Sequence, residues 1–178
     1  MNIWHDIPQK FIAPDNFSAV IEIQKGGKNK YELDKDTGML RLDRVLYTAT
    51  HYPANYGFIP RTYAEDGDPL DVLVLCQESI IPLTLVQCKP IGVIKMIDDD
   101  AADEKIIAVP LKDPSHSHYT DIWQLPAHTM EELKHFFTVY KALENKRTFV
   151  NEILGREQAV KIISDCIEGY NKVFTDKK

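Results

Sequence analysis

The hydrophobic pattern of this chain changes once, from short β-type segments to long helical stripes, and that change limits the folds open to it. Over roughly the first two thirds, short runs rich in β-branched and aromatic residues alternate with turns containing Gly, Pro and Asp. In the last third, apolar residues recur at helical spacing along two stretches. Many strands followed by two helices predict an α+β domain, in which a small closed or partly closed sheet has the helices packed outside it.

Individual elements follow from the same pattern. Strands are predicted over residues 18–23, 30–33, 39–46, 72–75, 83–97 and 106–110. The run 83–97 contains Pro90 and Gly92, so it should bend or split in two. Thr129 and Glu132 form a capping-box pattern that should begin the first helix, and the second helix should cover about residues 156–174. Residues 1–17 have little periodicity, which predicts an extended N-terminal arm.

The bulk properties exclude several classes of protein. A chain of 178 residues predicts one domain, residues 1–178, with a sizeable core. No apolar run reaches the length of a membrane span, and the first residues lack the pattern of a signal peptide. Three scattered cysteines indicate reduced thiols, and a net charge of -6 argues against nonspecific nucleic-acid binding. We therefore expect a cytoplasmic protein without a membrane or nucleic-acid partner.

Three carboxylates stand within six residues, at Asp66, Asp68 and Asp71, directly ahead of an apolar strand. Gly67 and Pro69 predict a tight turn between them. Carboxylates this close repel one another, and the repulsion is relieved by protonation or by bound cations. Oxygen ligands of this kind suit a hard cation such as Mg²⁺, Mn²⁺ or Ca²⁺.

Two simpler interpretations of these acids have to be weighed. A solvated acidic loop is a common feature and remains open for the D-x-D pattern alone. An EF-hand fits poorly: counting from Asp66, Asp71 stands where Gly is required, and Gln77 stands where Glu is required. A second run of acids, residues 98–104, also borders an apolar strand. By itself it could be a charged hairpin tip, but two such loops side by side could hold several cations.

The stretch DGDPLDVLV, residues 66–74, resembles the signature of the soluble family I inorganic pyrophosphatases. Further motifs stand in the family's order: EI at 22–23, KYE at 30–32, DR at 43–44, YPANYG at 52–57, AVP at 108–110, FF at 136–137 and YK at 140–141. The resemblance runs from about residue 18 to residue 143. It implies a closed OB-type β-barrel with flanking helices. It also implies hydrolysis of inorganic pyrophosphate to two orthophosphates by a metal-activated water.

The resemblance implies a role for each residue at a matching position. Several Mg²⁺ ions per site, with Mn²⁺ as an alternative, would be bound by Asp66, Asp71, Asp98, Asp103, Glu22 and Glu32. The two glutamates would act largely through metal-bound waters. Asp68 would accept the proton of the attacking water. Phosphate oxygens would be held by Lys30, Arg44, Tyr56, Lys105, Tyr140 and Lys141, with Tyr52 beside them. The compact length resembles that of the prokaryotic members, which implies a homohexamer.

Acids and bases in one pocket suit this chemistry. Two metal ions roughly 3.5–4 Å apart can acidify a shared water, a carboxylate can take its proton, and Lys and Arg can neutralise the phosphates. Two other interpretations stay open. One is a noncatalytic OB-type module that binds divalent cations without releasing phosphate. The other is an OB-type nucleic-acid binder with aromatic stacking platforms, which would need a basic groove and is opposed by the acid clusters.

Overall fold

The computed structural model describes residues 2–175, and its centre is a ring of five strands. The elements in chain order are β1 (Ile12–Ala13), β2 (Asn16–Ile23), β3 (Asn29–Leu33), β4 (Leu40–Val45), β5 (Asn55–Phe58), β6 (Asp71–Val74), β7 (Leu85–Asp98), β8 (Ala101–Pro110), α1 (Ala127–Val139), β9 (Thr148–Gly155) and α2 (Arg156–Phe174). Strands pair in the order β2-β5-β6-β8-β7, and pairing between β2 and β7 closes the ring. The predicted closed barrel with two C-terminal helices is confirmed.

Pairing within the ring is antiparallel except between β6 and β8, which run parallel. Strand β1 extends the sheet beside β2, and β9 extends it beside β7. Strands β3 and β4 form a separate two-stranded hairpin. The parallel pair matters for the site, because it places the loop before β6 next to the residues that begin β8.

The long strand β7 bends as the sequence predicts, but it does not split. Its first residues pair with β2, and its second half pairs with β9. The register against β8 shifts between Pro90 and Gly92. A bulge accommodates a residue without an N–H and increases the local twist. A Cβ at Gly92 would lie 2.7 Å from the Leu154 carbonyl oxygen, so the glycine permits close approach of β9.

Two hydrophobic clusters lie on opposite faces of the ring. Along β6, Leu73 packs with Phe136 and Phe137 of α1, whereas its neighbour Val72 packs with Ile163 of α2. Successive residues of a strand point to opposite faces. Strand β6 is therefore buried on both sides, as its unbroken apolar run predicts, and the acids before it are attached to a rigid element.

Three sequence predictions are wrong. The strands do not all precede the two helices, because β9 lies between α1 and α2 and pairs with β7. Helix α1 begins at Ala127 after Pro126, with no side-chain cap, and Thr129 is already inside it. The Thr129 N–H bonds to the Pro126 carbonyl, so the backbone satisfies the donor that a capping box would serve. The N-terminal arm is also not extended. Residues 3–7 form turns, a short 3-10 helix follows over Gln9–Phe11, and Trp4 is buried.

The second acid run does form a hairpin tip between β7 and β8. Asp99 and Asp100 occupy the turn, both with positive φ (47° and 67°). Two consecutive residues in this conformation are typical of a type I′ turn, where Asn and Gly are preferred. Asp98 and Asp103, on either side of this turn, nevertheless line the candidate site. Within residues 2–175, no helix is long and apolar enough to cross a membrane.

Candidate active site

A cavity of about 380 Å³ brings together polar residues from both acid clusters, from strands β2, β3 and β5 and from the end of α1. Twelve of the thirteen predicted site residues line it: Glu22, Lys30, Glu32, Tyr56, Asp66, Asp68, Asp71, Asp98, Asp103, Lys105, Tyr140 and Lys141. These twelve residues contribute seven carboxyl groups, three ammonium groups and two phenols to the cavity. Their proximity is what the resemblance requires.

Parallel pairing explains how the two acid clusters meet. In the β6–β8 register, Asp71 stands opposite Lys105, and Asp103 lies two residues before Lys105 on the same strand. Side chains two apart on a strand share a face. The Lys105 ammonium lies 2.7 Å from Oδ2 of Asp71 and 3.0 Å from Oδ2 of Asp103. The two carboxylates therefore surround one lysine whose side chain is 3% exposed.

The charge of Lys105 is maintained by its neighbours. Burial alone would lower its pKa, but Asp71, the Tyr56 phenol and Asp103 hold the pKa well above its usual value. Tyr56 donates a hydrogen bond to the same Asp71 oxygen. Burial, and next the Asp71 charge, raise the pKa of Tyr56. The phenol therefore stays protonated and able to donate.

Glu22 is a buried carboxyl group with poor compensation for a negative charge. Its Oε1 accepts a hydrogen bond of 2.8 Å from the Leu33 N–H. Burial, followed by the charge of Asp71, raises its pKa to about 8. Burial also raises the pKa of Asp66. Both pKa shifts show that a negative charge is costly in this buried position beside other acids, and a bound cation would reduce that cost.

The donor atoms suit a hard divalent cation. Each is a carboxylate oxygen, and one buried oxygen, Oδ1 of Asp98, has no hydrogen-bond partner within the described residues. As the side chains are placed, no three His, Cys, Asp or Glu groups of residues 2–175 are close enough together to hold a metal ion. Ion pairs with lysine account for part of this separation, since Lys105 binds Asp71 and Asp103, and Lys141 binds Asp98.

The turn that carries the central acids has the predicted form. Gly67 has a φ of 84°, which favours glycine, and the Asp68 N–H donates to Oδ1 of Asp66 at 3.0 Å. The Asp68 side chain forms an ion pair with Lys35, in the loop between β3 and β4. Lys35 lines the cavity, but no motif predicted it, because a lone lysine in a polar turn carries no distinguishing pattern.

Lys30 and Tyr140 also contact carboxylates. Lys30 lies 3.7 Å from Asp43 and also pairs with Glu32, and burial lowers its pKa. The Tyr140 hydroxyl lies 3.5 Å from Oδ2 of Asp98. The Tyr52 ring is buried, with its centroid 5.3 Å from that of Tyr56, so it supports the wall of the cavity.

Arg44 is the predicted site residue that does not line the cavity. It stands opposite Lys30 in the β3–β4 register. Its guanidinium pairs with Asp43 and, at 2.7 Å, with Glu144, which follows α1. Its Nη2 is buried and has no hydrogen-bond partner within residues 2–175. No motif indicated the contact between Arg44 and Glu144, because it joins segments 100 residues apart.

Comparisons with known proteins agree with this arrangement. A model of the family described as inorganic pyrophosphatase matches residues 19–171. Soluble inorganic pyrophosphatase 2 of Chlamydomonas reinhardtii is 49% identical over 175 residues, which cover 98% of this chain and 91% of that protein. Soluble inorganic pyrophosphatase 1 of Arabidopsis thaliana is 48% identical over 167 residues, which cover 94% of this chain and 79% of that protein.

Solved structures show the same fold. The inorganic pyrophosphatase from Thermus thermophilus superposes with a TM-score of 0.92 at 40% identity, covering 96% of this chain and 99% of that one. The inorganic pyrophosphatase from Helicobacter pylori superposes with a TM-score of 0.86 at 45% identity, covering 89% and 95% respectively.

Proposed function

Because this chain belongs to the inorganic pyrophosphatase family, we infer that it hydrolyses inorganic pyrophosphate to two orthophosphates. The observation that carries this conclusion is the cavity that collects seven carboxyl groups beside Lys30, Lys105 and Lys141. Pyrophosphate is a small anion of high charge density, and its hydrolysis develops charge on the attacking and leaving oxygens. A site of this kind needs acids to hold cations and bases to hold phosphate.

We further propose that the cation is Mg²⁺ and that Asp66, Asp71 and Asp103 hold it, with Asp98 serving further ions and Glu22 and Glu32 acting through waters. A bound divalent cation would polarise phosphoryl oxygens and acidify a water molecule. This assignment is supported by the all-oxygen donor set and by the raised pKa of Glu22, both of which favour neutralisation by a hard cation.

Other residues act directly on substrate and water in this proposal. Asp68 takes the proton of the attacking water onto its carboxylate, as a general base. Its placement in the cavity, apart from the Asp71–Lys105–Asp103 group, supports that role. Phosphate oxygens are held by Lys30, Arg44, Tyr56, Lys105, Tyr140 and Lys141. Each of these groups can donate hydrogen bonds, and four of them carry a positive charge.

The assembly and location are also proposals. We propose a homohexamer in the cytoplasm, as the resemblance to compact prokaryotic members implies. The surface supports self-association, because Ile81, Leu83 and Leu85 are large, exposed apolar side chains close together in the chain. Analytical ultracentrifugation tests this directly, since a mass equal to one chain would contradict the assembly.

Phosphate release from pyrophosphate, measured with Mg²⁺ and then with excess EDTA, tests the function. We expect rapid release that EDTA abolishes. Asp68→Asn should lose turnover while retaining Mg²⁺ binding by calorimetry, and Asp165→Asn on the exposed side of α2 is the matched control. Binding of Mg²⁺ without any phosphate release by the folded wild-type protein would instead favour the noncatalytic module.

A further inference from the structure

Lys35 contacts the side chain proposed as general base, and neither the motifs nor the predicted site included it. Its ammonium forms an ion pair with Oδ1 of Asp68, at the edge of the cavity that both residues line. That oxygen is shielded from solvent and has no hydrogen-bond partner within the described residues, so its contact with the Lys35 ammonium is an ion pair.

The N-terminal arm fixes the position of Lys35. The ammonium lies 5.6 Å from the centroid of the Trp4 ring, within the range of a cation–π interaction. Trp4 is itself immobilised: it is 4% exposed, and its Nε1 donates a 2.9 Å hydrogen bond to the Thr62 carbonyl. The arm therefore supplies a rigid aromatic surface against which the lysine rests.

The same aromatic surface also supports the turn that carries Asp68. Trp4 stacks on Tyr63 with ring centroids 6.4 Å apart. The Tyr63 hydroxyl lies 3.5 Å from the position that a Cβ on Gly67 would take. One residue after Tyr63, the Ala64 N–H donates to the Asp68 carbonyl at 2.8 Å. The Trp4–Tyr63 stack therefore contacts two things that determine the position of Asp68. One is the turn that carries its backbone, and the other is Lys35, the ionic partner of its side chain.

We propose that Lys35, held by Trp4, is a positioning residue for the Asp68 carboxylate in pyrophosphate hydrolysis. The proposal rests on the proposed function, in which Asp68 accepts the proton. Asp66 and Asp71 flank Asp68 in the same short segment and compete for the same cations. An Asp68 carboxylate without an ionic partner can turn toward a cation and act as one more ligand, which leaves the attacking water without an acceptor. Lys35 would oppose that turn by holding the carboxylate in an ion pair.

A positioning role predicts that loss of Lys35 lowers the rate of catalysis without lowering the stability of the fold. Lys35 and Asp68 side chains are each about half exposed, and exposed ion pairs contribute little to folding stability. Lys35→Met should therefore leave the thermal midpoint nearly unchanged. We expect kcat to fall about tenfold, since misplacement by 1 Å can cost about 10²-fold, while KM changes little because no phosphate contact is removed. Lys35→Arg, which keeps the charge, should restore most of kcat.

Matched variants make the test specific. Lys10 also lies over an aromatic ring, 5.0 Å from the centroid of Phe11, and it does not line the cavity, so Lys10→Met should keep wild-type kcat. Trp4→Phe retains a ring for the ammonium, whereas Trp4→Leu does not, and only the latter should reproduce part of the Lys35→Met loss. Equal effects of Lys35→Met and Lys10→Met on kcat would overturn the proposal.

A double-mutant cycle shows whether Lys35 acts through Asp68. In an Asp68→Asn background, or Asp68→Glu if residual turnover is too low to measure, Lys35→Met should have little further effect on kcat. The same fold-loss in both backgrounds would refute a positioning role. The outcome also distinguishes a failure of the Asp68 base assignment from a failure of the Lys35 positioning role. Wild-type turnover in Asp68→Asn would remove the base assignment and this proposal with it. An inactive Asp68→Asn beside a fully active Lys35→Met would refute this proposal alone.

Discussion

Replacing Lys105 by methionine tests whether this lysine neutralises Asp71 and Asp103, the carboxylates proposed to bind metal, when no cation is bound. The Lys105 side chain is 3% exposed, and its carboxylate partners Asp71 and Asp103 are 30% and 18% exposed. Breaking a fully buried ion pair costs about 3–5 kcal/mol, whereas an exposed pair is worth about 0–1 kcal/mol. Because both acids are partly solvated, we expect Lys105→Met to lower the free energy of unfolding by about 2–3 kcal/mol in EDTA.

The same variant should respond more strongly to Mg²⁺ than the wild type. A divalent cation can take the place of the lost ammonium between the two carboxylates, so the stability difference should narrow as Mg²⁺ is added. Urea unfolding followed by circular dichroism, with EDTA and with Mg²⁺, measures both quantities.

Lys95→Met is the matched control for this comparison. Lys95 pairs with Glu104 at 3.4 Å on a solvated part of β7 and β8, so its loss should cost less than about 1 kcal/mol in either condition. Equal losses for the two variants in EDTA would refute the argument from burial. A deficit in Lys105→Met that Mg²⁺ leaves unchanged would refute the exchange of ammonium for cation.

Two further predictions concern the acid clusters. Glu22 has a folded pKa of about 8, above its ordinary value of 4.5, so the stability it provides is complete below pH 4.5 and is lost as the pH rises toward 8. In EDTA, Glu22→Gln should therefore flatten the fall in unfolding free energy between pH 5 and pH 8, and an unchanged slope would contradict the shift. Asp100 has a positive φ in a two-residue turn, so Asp100→Gly should raise the free energy of unfolding by about 0.5–1 kcal/mol. A lower thermal midpoint for that variant would show that the acid, and not the backbone, stabilises the tip.

Local patterns predicted the elements well where a single segment determines them. Helix α2 covers Arg156–Phe174, as its apolar stripe predicts, and the bend of β7 lies at Pro90 and Gly92. Closure of the ring was predicted only as a general architecture. It depends on pairing between β2 and β7, which are more than 60 residues apart. The arm was misjudged for the same reason, since Trp4 is buried by Tyr63 and Phe174, which come from distant parts of the chain.

The candidate site likewise contains residues that a local pattern predicts and residues whose contacts come from distant segments. Asp66, Asp68 and Asp71 were recognisable because their spacing is fixed within one turn before one strand. Two ionic partners of predicted site residues were not recognisable from the sequence. Lys35 pairs with Asp68 from a loop, and Glu144 pairs with Arg44 from a short 3-10 helix. A single charged residue in such a segment belongs to no motif with a defined spacing. Such contacts become visible only when the three-dimensional arrangement of the loops is known.

Closure of the ring determines when the chain acquires a complete active site during its synthesis. The cavity takes residues from Glu22 to Lys141, so a nascent chain lacks part of the site until α1 has left the ribosome. Strands β6 and β8 must also be docked in parallel before the acid clusters face each other. Amide hydrogen exchange at Val72 and Ile106 reports on that docking, and exchange as slow as global unfolding would mark both strands as one cooperative unit. An incomplete chain would then neither sequester divalent cations nor hydrolyse phosphoanhydrides.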